Sequence, residues 1–386
     1  MMAWLSLFIL TAVLTIYSEV DAYRIVCYYK SWSVKRPGKG NFKVENIDTK
    51  LCTHVIYSYA RVTADGDITF RDPKIDIILG GYKRFNNLRN KQSNLKTMIS
   101  LSVSRNNSTI FSQIINYPDK RRKFANNIIV FLKKYRFNGL DIDWEFPAHF
   151  GGIPSDKTAY VEFFKLLRPN FDANGLILSA AVSPDADVID TAYLVPQMVK
   201  YLDFVNVMTY DFHGPWDQLT GENTPLYAGP ADKTVCDRKL NVDFAIQYWI
   251  KKGAPMNKLN LGIATYAITF TLKSATNNRV GAPVVGAGKA GPYTRAPGTM
   301  AYFEICEKVK SEGWKFYWNA AQNSAYAVKE DQWAGYDSIS AVLIKALYIK
   351  NNGLGGAMIW SIDMDDYRNI CRNGVYPLLR TIKSVL

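Results

Sequence analysis

Asp141, Asp143 and Glu145 occupy alternate positions in the run Asn138-Gly139-Leu140-Asp141-Ile142-Asp143-Trp144-Glu145-Phe146-Pro147. In an extended strand this spacing points all three carboxyls to one face and sends Ile142, Trp144 and Phe146 to the other. Three acids on one face of a buried strand repel one another and lose hydration, so packing alone does not call for them. Chemistry that needs one carboxyl kept protonated near neutral pH does call for them. Just upstream, Ile128-Ile129-Val130-Phe131-Leu132 reads as the buried side of a helix, closed by basic residues and Gly139.

The rest of the chain shows what must position these acids. Short apolar strands alternate with amphipathic helical stretches, the pattern of a parallel α/β fold. Eight strands are predicted: Arg24–Tyr28, His54–Ala60, Lys96–Leu101, Gly139–Glu145, Ile177–Val182, Phe204–Tyr210, Leu259–Tyr266 and Gly355–Ser361. Eight such units predict a (β/α)8 TIM barrel, whose working face lies at the C-terminal ends of its strands. Tyr28, Tyr59, Glu145, Tyr210, Asp211, Tyr266 and Trp360 fall at those ends. The barrel is expected over 23–268 and 336–386. The stretch 269–335, rich in Gly, Pro and aromatics, is longer than a βα connection needs and reads as an insertion. There is no internal repeat and no low-complexity tract.

Residues 1–22 are apolar through Trp4–Tyr17 and reach Val20-Asp21-Ala22, which reads as a secretory signal peptide. An uncleaved anchor is the alternative, but the apolar stretch is short for a span. No second segment reads as a membrane span, so a secreted, extracellular protein is expected. The five cysteines, Cys27, Cys52, Cys236, Cys306 and Cys371, then predict two disulfides and one leftover thiol, in pairings the spacing leaves open. Asn106 and Asn107 head two overlapping N-glycosylation acceptors. The formal charge of +13 is spread along the 386 residues, with short clusters such as Lys120-Arg121-Arg122-Lys123. No nucleic-acid module accompanies it, and a solvated basic surface is the expectation.

The run from Asn138 to Pro147 closely resembles the D-x-x-D-x-D-x-E signature of glycoside hydrolase family 18, the chitinases and chitinase-like proteins. Asp141, Asp143 and Glu145 match its last three acids. Cys27-Tyr28-Tyr29-Lys30-Ser31-Trp32 is similar to the family's first strand, and Met208-Thr209-Tyr210-Asp211-Phe212-His213-Gly214-Pro215-Trp216 to its sixth. Tyr293–Gly298 and Asp331–Asp337 resemble its small α+β insertion, and Gly355–Asp365 its eighth strand. The likeness covers nearly all of the chain after residue 22.

The resemblance implies a retaining hydrolysis in which the substrate's own 2-acetamido group is the nucleophile. Glu145 would be the acid, Asp143 would hold the acetamido N–H, and Asp141 would share a proton with Asp143. Tyr210 would donate to the acetamido oxygen, and Asp211 would orient the sugar. Trp360 is the expected platform beneath the reacting ring, with Trp32, Trp216 and Tyr266 as neighbours and Tyr28 and Met208 in the walls. Trp144, on the face opposite the acids, is assigned to packing. The implied disulfides are Cys27–Cys52 and Cys306–Cys371, with Cys236 free. Chitin or chito-oligosaccharides are the implied partners, bound by a monomer without metal or cofactor. The chain carries no Ser/Thr-rich linker or six-cysteine tail, so no separate chitin-binding module is expected.

Three positions depart from the family's pattern. Asn138 replaces the first acid, which predicts a modest loss of rate. Ser102-Val103-Ser104 stands where Gly-Gly-Trp is usual, removing a platform on the leaving-group side. Ile268 replaces an arginine in Ala264-Thr265-Tyr266-Ala267-Ile268 and cannot donate its hydrogen bonds. The expectation is a chitinase with reduced activity; the alternative is a chitinase-like lectin or signalling protein with weak or no turnover.

Overall fold

The computed structural model describes residues 23–386, so the predicted signal peptide lies outside the described residues. Eight parallel strands close into a barrel: β1 (Arg24–Lys30), β2 (His54–Val62), β4 (Lys96–Val103), β5 (Gly139–Trp144), β6 (Ile177–Val182), β7 (Phe204–Val207), β8 (Leu259–Ala264) and β15 (Gly356–Trp360). The ring runs β1-β15-β8-β7-β6-β5-β4-β2, and the β1–β2 pairing closes it. A short strand, β3 (Ile68–Phe70), pairs antiparallel with β2. This is the predicted (β/α)8 architecture.

Around the ring lie α1 (Gly81–Asn86), α2 (Ser108–Asn116), α3 (Pro118–Tyr135), α4 (Asp156–Ala173), α5 (Ala186–Ala192), α6 (Val195–Met198) and α7 (Val242–Lys251). They are followed by α8 (Tyr302–Ser311), α9 (Ile339–Asn351) and α10 (Pro377–Val385). Helix α3 shows why the local sequence chooses its form. Pro118 starts it, where a missing N–H costs nothing, and Arg136 ends it in the left-handed region at φ 61°. Phe124, Ile128, Phe131 and Leu132 are buried, but Val130 is exposed. The helical period turns that one member of the predicted apolar run outward.

Strand β5 is buried at every position. Its even residues join the layer between barrel and helices, where Trp144 meets Phe111 and Tyr160 edge-on and donates through Nε1 to Ser108 Oγ at 3.0 Å. Gly139 opens the strand because a Cβ there would lie 2.2 Å from the Ile177 carbonyl oxygen. The odd residues, Asp141 and Asp143, face the barrel interior.

Two strands stop well before their predicted ends. After Val207 the backbone folds on itself, with Thr209 and Tyr210 N–H donating to the carbonyls of Val207 and Met208. After Ala264, Thr265 passes the chain to a second sheet. Its N–H still bonds the Trp360 carbonyl of the barrel, while its carbonyl accepts from Tyr302. That sheet holds β9 (Tyr266–Leu272), β10 (Val284–Ala287), β11 (Thr299–Ala301), β12 (Lys315–Asn319), β13 (Ser324–Lys329) and β14 (Gln332–Tyr336), in antiparallel pairings. It therefore begins at Tyr266, ahead of the predicted 269. Among the described residues no helix is long and apolar enough to cross a membrane.

Candidate active site

A cleft of 660 Å³ opens at the C-terminal ends of the barrel strands. Asp141 lies beneath it, fully buried, with a donor for each lone pair. Tyr28 (2.8 Å) and Ser100 (2.9 Å) donate to Oδ2, and Ser179 (2.6 Å) and Asn206 (3.3 Å) to Oδ1. Asn206 also accepts from Asn260 at 2.9 Å, and Asn260 from Arg24 at 3.1 Å, so a polar chain runs down the barrel interior. Burial raises the Asp141 carboxyl above its ordinary range, opposed by those four donors. Other side chains thus donate to both Asp141 oxygens, and its charge in turn raises Asp143.

Asp143 sits one step nearer the cleft. Burial, then the charges of Glu145 and Asp141, push it well above the carboxylate range, against the Tyr59 hydroxyl. Its Oδ1 is buried without a partner, an unmet acceptor on a residue that lines the cleft. Glu145 follows the last residue of β5, half-buried, and lines the cleft. Burial and then the Asp211 charge raise its carboxyl, while Arg105 lowers it. The result is a stack of carboxyls that titrate together, with the outermost reachable by a ligand.

The aromatic residues divide by position. Tyr28, Tyr210, Trp360, Met208 and Trp216 line the cleft, as does Asp211. Trp360 stands edge-on to Tyr28, ring centroids 5.5 Å apart, and stacks beside Tyr59 at 5.9 Å. Trp216 is 65% exposed at the mouth, and its ring occupies space that a Cβ on Gly214 would enter at 2.2 Å. Asp211 adopts φ 58° and receives the Tyr266 hydroxyl at 2.6 Å. Tyr266 is thus a buried support for Asp211 rather than a platform. Trp32 also lies outside the cleft lining. It stacks on Tyr59 at 5.8 Å, and the Arg71 guanidinium lies 3.9 Å from its ring centre.

Asn138 corrects one expectation. Its Oδ1 accepts from Arg89 Nη1 (3.0 Å) and the Thr97 N–H (2.9 Å) at the start of β5. Roughly 20 Å of strand separates it from Glu145, and their spacing is odd, so it cannot belong to the same row of acids. There its amide oxygen holds the entry to β5 against Arg89 and Thr97. Ile268 is buried in an apolar cluster with Tyr266 and Phe270. Ser104 is exposed, and the residues after it bring Arg105 into the cleft.

Sequence reasoning missed Ser100, Ser179, Asn206, Asn260, Arg105 and Phe150. A signal existed for the asparagines, each the lone polar residue in a short buried apolar strand. Lys30 was missed as well. Burial brings its ammonium down to about 7, opposed by Asp363, and Nζ lies 5.4 Å from the Trp360 ring centre.

Cys27–Cys52 and Cys306–Cys371 are bonded, and Cys236 is free and exposed at the cleft edge. Asn106 is exposed and Asn107 half-buried on a single turn before α2. Among the described residues, the candidate metal ligands found close together are Cys306, Asp366 and Cys371. Both sulfurs are spent in a disulfide, and Asp366 accepts from the N–H groups of Ile370 and Cys371. That set does not fit an ion.

A parallel barrel with a graded row of carboxyls under an aromatic-walled cleft defines a glycosidase-type protein. Residues 24–365 match the model of "Glycosyl hydrolases family 18", and the chain belongs to that family. It is 39% identical to human chitinase-3-like protein 2 over 95% of this chain and 93% of that one. It is 38% identical to probable chitinase 10 of Drosophila melanogaster over 94% of this chain, but spans only 16% of that protein. The Ostrinia furnacalis Group II chitinase catalytic domain 2 superposes with a TM-score of 0.91 at 37% identity, covering 94% of this chain and 96% of that one. A mutant of that domain has also been solved in complex with penta-N-acetylchitooctaose.

Proposed function

We propose that this protein is a secreted chitinase that cleaves β-1,4 linkages between N-acetylglucosamine units with retention of anomeric configuration. The observation that carries the proposal is Glu145, a cleft-lining carboxyl that burial raises above its ordinary range, with one oxygen of Asp143 unmet beside it. A sugar resting on Trp360 turns its 2-acetamido group down toward Asp143 and Tyr210. Glu145 gives its proton to the glycosidic oxygen as the C1–O bond breaks. The acetamido oxygen bonds to C1 from below, forming a cyclic oxazolinium ion. Asp143 accepts the amide N–H and balances the ring's positive charge, and the Tyr210 hydroxyl orients the acetamido oxygen. Water then adds to C1, losing a proton to the Glu145 carboxylate, which restores both enzyme and configuration. Asp141, with four donors, fixes the charge balance beneath Asp143.

The second sheet, as an α+β insertion between β8 and β15, supports the cleft from behind through the Tyr266 hydroxyl and its hold on Asp211. Binding without turnover is the competing role, and the resemblance to chitinase-3-like protein 2 keeps it in view. Fluorogenic chitotriose decides between them. Wild type is expected to hydrolyse it, and Glu145→Gln to lose on the order of a hundredfold or more in kcat while still binding. Equal residual rates in both, with binding intact, would overturn the chitinase reading in favour of a lectin.

A further inference from the structure

One stretch of the cleft is built differently from the rest. Trp360 and Tyr28 belong to β15 and β1, and β5 lies across the ring from them. A sugar on Trp360 therefore leaves the space past Glu145 for the next unit of the chain. Arg105, after β4, and Phe150, after β5, wall that space. The Arg105 guanidinium carbon lies 4.2 Å from the Phe150 ring centre, and Phe150 is 43% exposed. Ser104, short and exposed, covers neither.

Arg105 has no hydrogen bond or ion pair among the described residues, whereas the acids on this flank are engaged. Asp185 Oδ1 accepts from the Asp187 and Val188 N–H groups. Asp217 Oδ2 accepts from Gly214 N–H and lies 3.1 Å from His213 Nδ1. Asp187 faces Lys239 at 4.0 Å. On this wall the charged group stacked on Phe150 is thus a cation with no hydrogen-bond partner among the described residues, whose charge also reaches Glu145. A guanidinium stacked on a ring still offers its N–H edge. An acetamido carbonyl can accept from that edge. A protonated amine has no acceptor and carries the same sign.

We propose that Arg105, stacked on Phe150, makes the leaving-group side of the cleft accept N-acetylated glucosamine units and reject protonated, de-N-acetylated ones. This deepens the chitinase reading and rests on it. The test substrate is a partly de-N-acetylated chitin polymer at mildly acid pH, where its free amines are charged. New reducing ends report the unit that sat on Trp360, and new non-reducing ends report the unit that sat against Arg105.

Wild-type products are expected to carry acetylated reducing ends and non-reducing ends depleted in glucosamine about three- to tenfold relative to the substrate. Arg105→Gln removes the depletion at non-reducing ends, and Arg105→Lys keeps most of it. Non-reducing ends that follow substrate composition in wild type, unchanged in Arg105→Gln, would overturn the proposal. Glucosamine at the reducing ends would instead overturn the substrate-assisted mechanism, while the non-reducing ends still decide on Arg105.

Binding gives a readout that needs no turnover. In a Glu145→Gln background, chitotetraose and its fully de-N-acetylated counterpart are titrated with Arg105 and with Gln at that position. The affinity ratio is expected to shrink about fivefold on loss of the cation. An unchanged ratio overturns the assignment whether or not the protein is a catalyst.

Discussion

A carboxyl that gives up a proton at near-neutral pH must be prevented from ionising earlier, and three influences act on Glu145. Burial and the Asp211 charge raise it, and Arg105 lowers it. In the proposed mechanism protonated Glu145 is the active form for the first step, so hydrolysis is expected to fall as pH climbs through its raised range. Removing a cation disfavours the carboxylate, so Arg105→Gln should move that alkaline limb to higher pH; a pH–kcat profile with an unmoved limb would contradict the assignment. The spacing of Asp141, Asp143 and Glu145 made these acids legible, because alternation in a strand is local information. The donors around Asp141 were not legible. Ser100, Ser179 and Asn206 reach it from three other strands, and only barrel closure sets that proximity.

At the scale of elements, strand cores were readable and strand ends were not. Phe204–Val207 and Leu259–Ala264 stop where the chain changes partners, at Met208 and Thr265, and apolar alternation runs straight through both points. Glu222 shows what such handovers leave behind. It lies in the connection after β7, fully buried, and accepts from Asn319 (3.1 Å) and Ser324 (3.2 Å) of the second sheet. Burial raises its carboxyl to about 7, with those two donors acting against it. A carboxyl raised on folding favours the folded state while protonated. That contribution is complete below its unfolded value, near 4.5, and is lost as pH rises through about 7. Glu222→Gln should therefore flatten the fall in stability over this window, by up to about 3 kcal/mol in denaturant titrations compared across pH. Parallel pH dependence in the two proteins would contradict it.

For the whole molecule, the predicted barrel closes where its last strand pairs with its first, and each disulfide joins segments distant in sequence. Cys27–Cys52 spans 25 residues and Cys306–Cys371 spans 65. Loop-closure entropy assigns them about 3 and 4 kcal/mol respectively. The double variant Cys306→Ser, Cys371→Ser is expected to lose the larger amount in reversible unfolding, and Cys236→Ser, at an exposed position, almost none. The reverse order would contradict the account. The pairing was implied by family likeness alone. Its physical basis, the proximity of α8 to the segment before α10, is a product of the closed fold.

The proposed chemistry rests on an acetamido oxygen attacking C1 from the face opposite Glu145, followed by water from the face the leaving group vacated. Proton NMR of chitotetraose hydrolysis, read within the first turnovers before mutarotation, observes that sequence of events directly. The β-anomer is predicted at the newly formed reducing end, with no such signal from Glu145→Gln. First appearance of the α-anomer, or β-product formed equally by the variant, would contradict it.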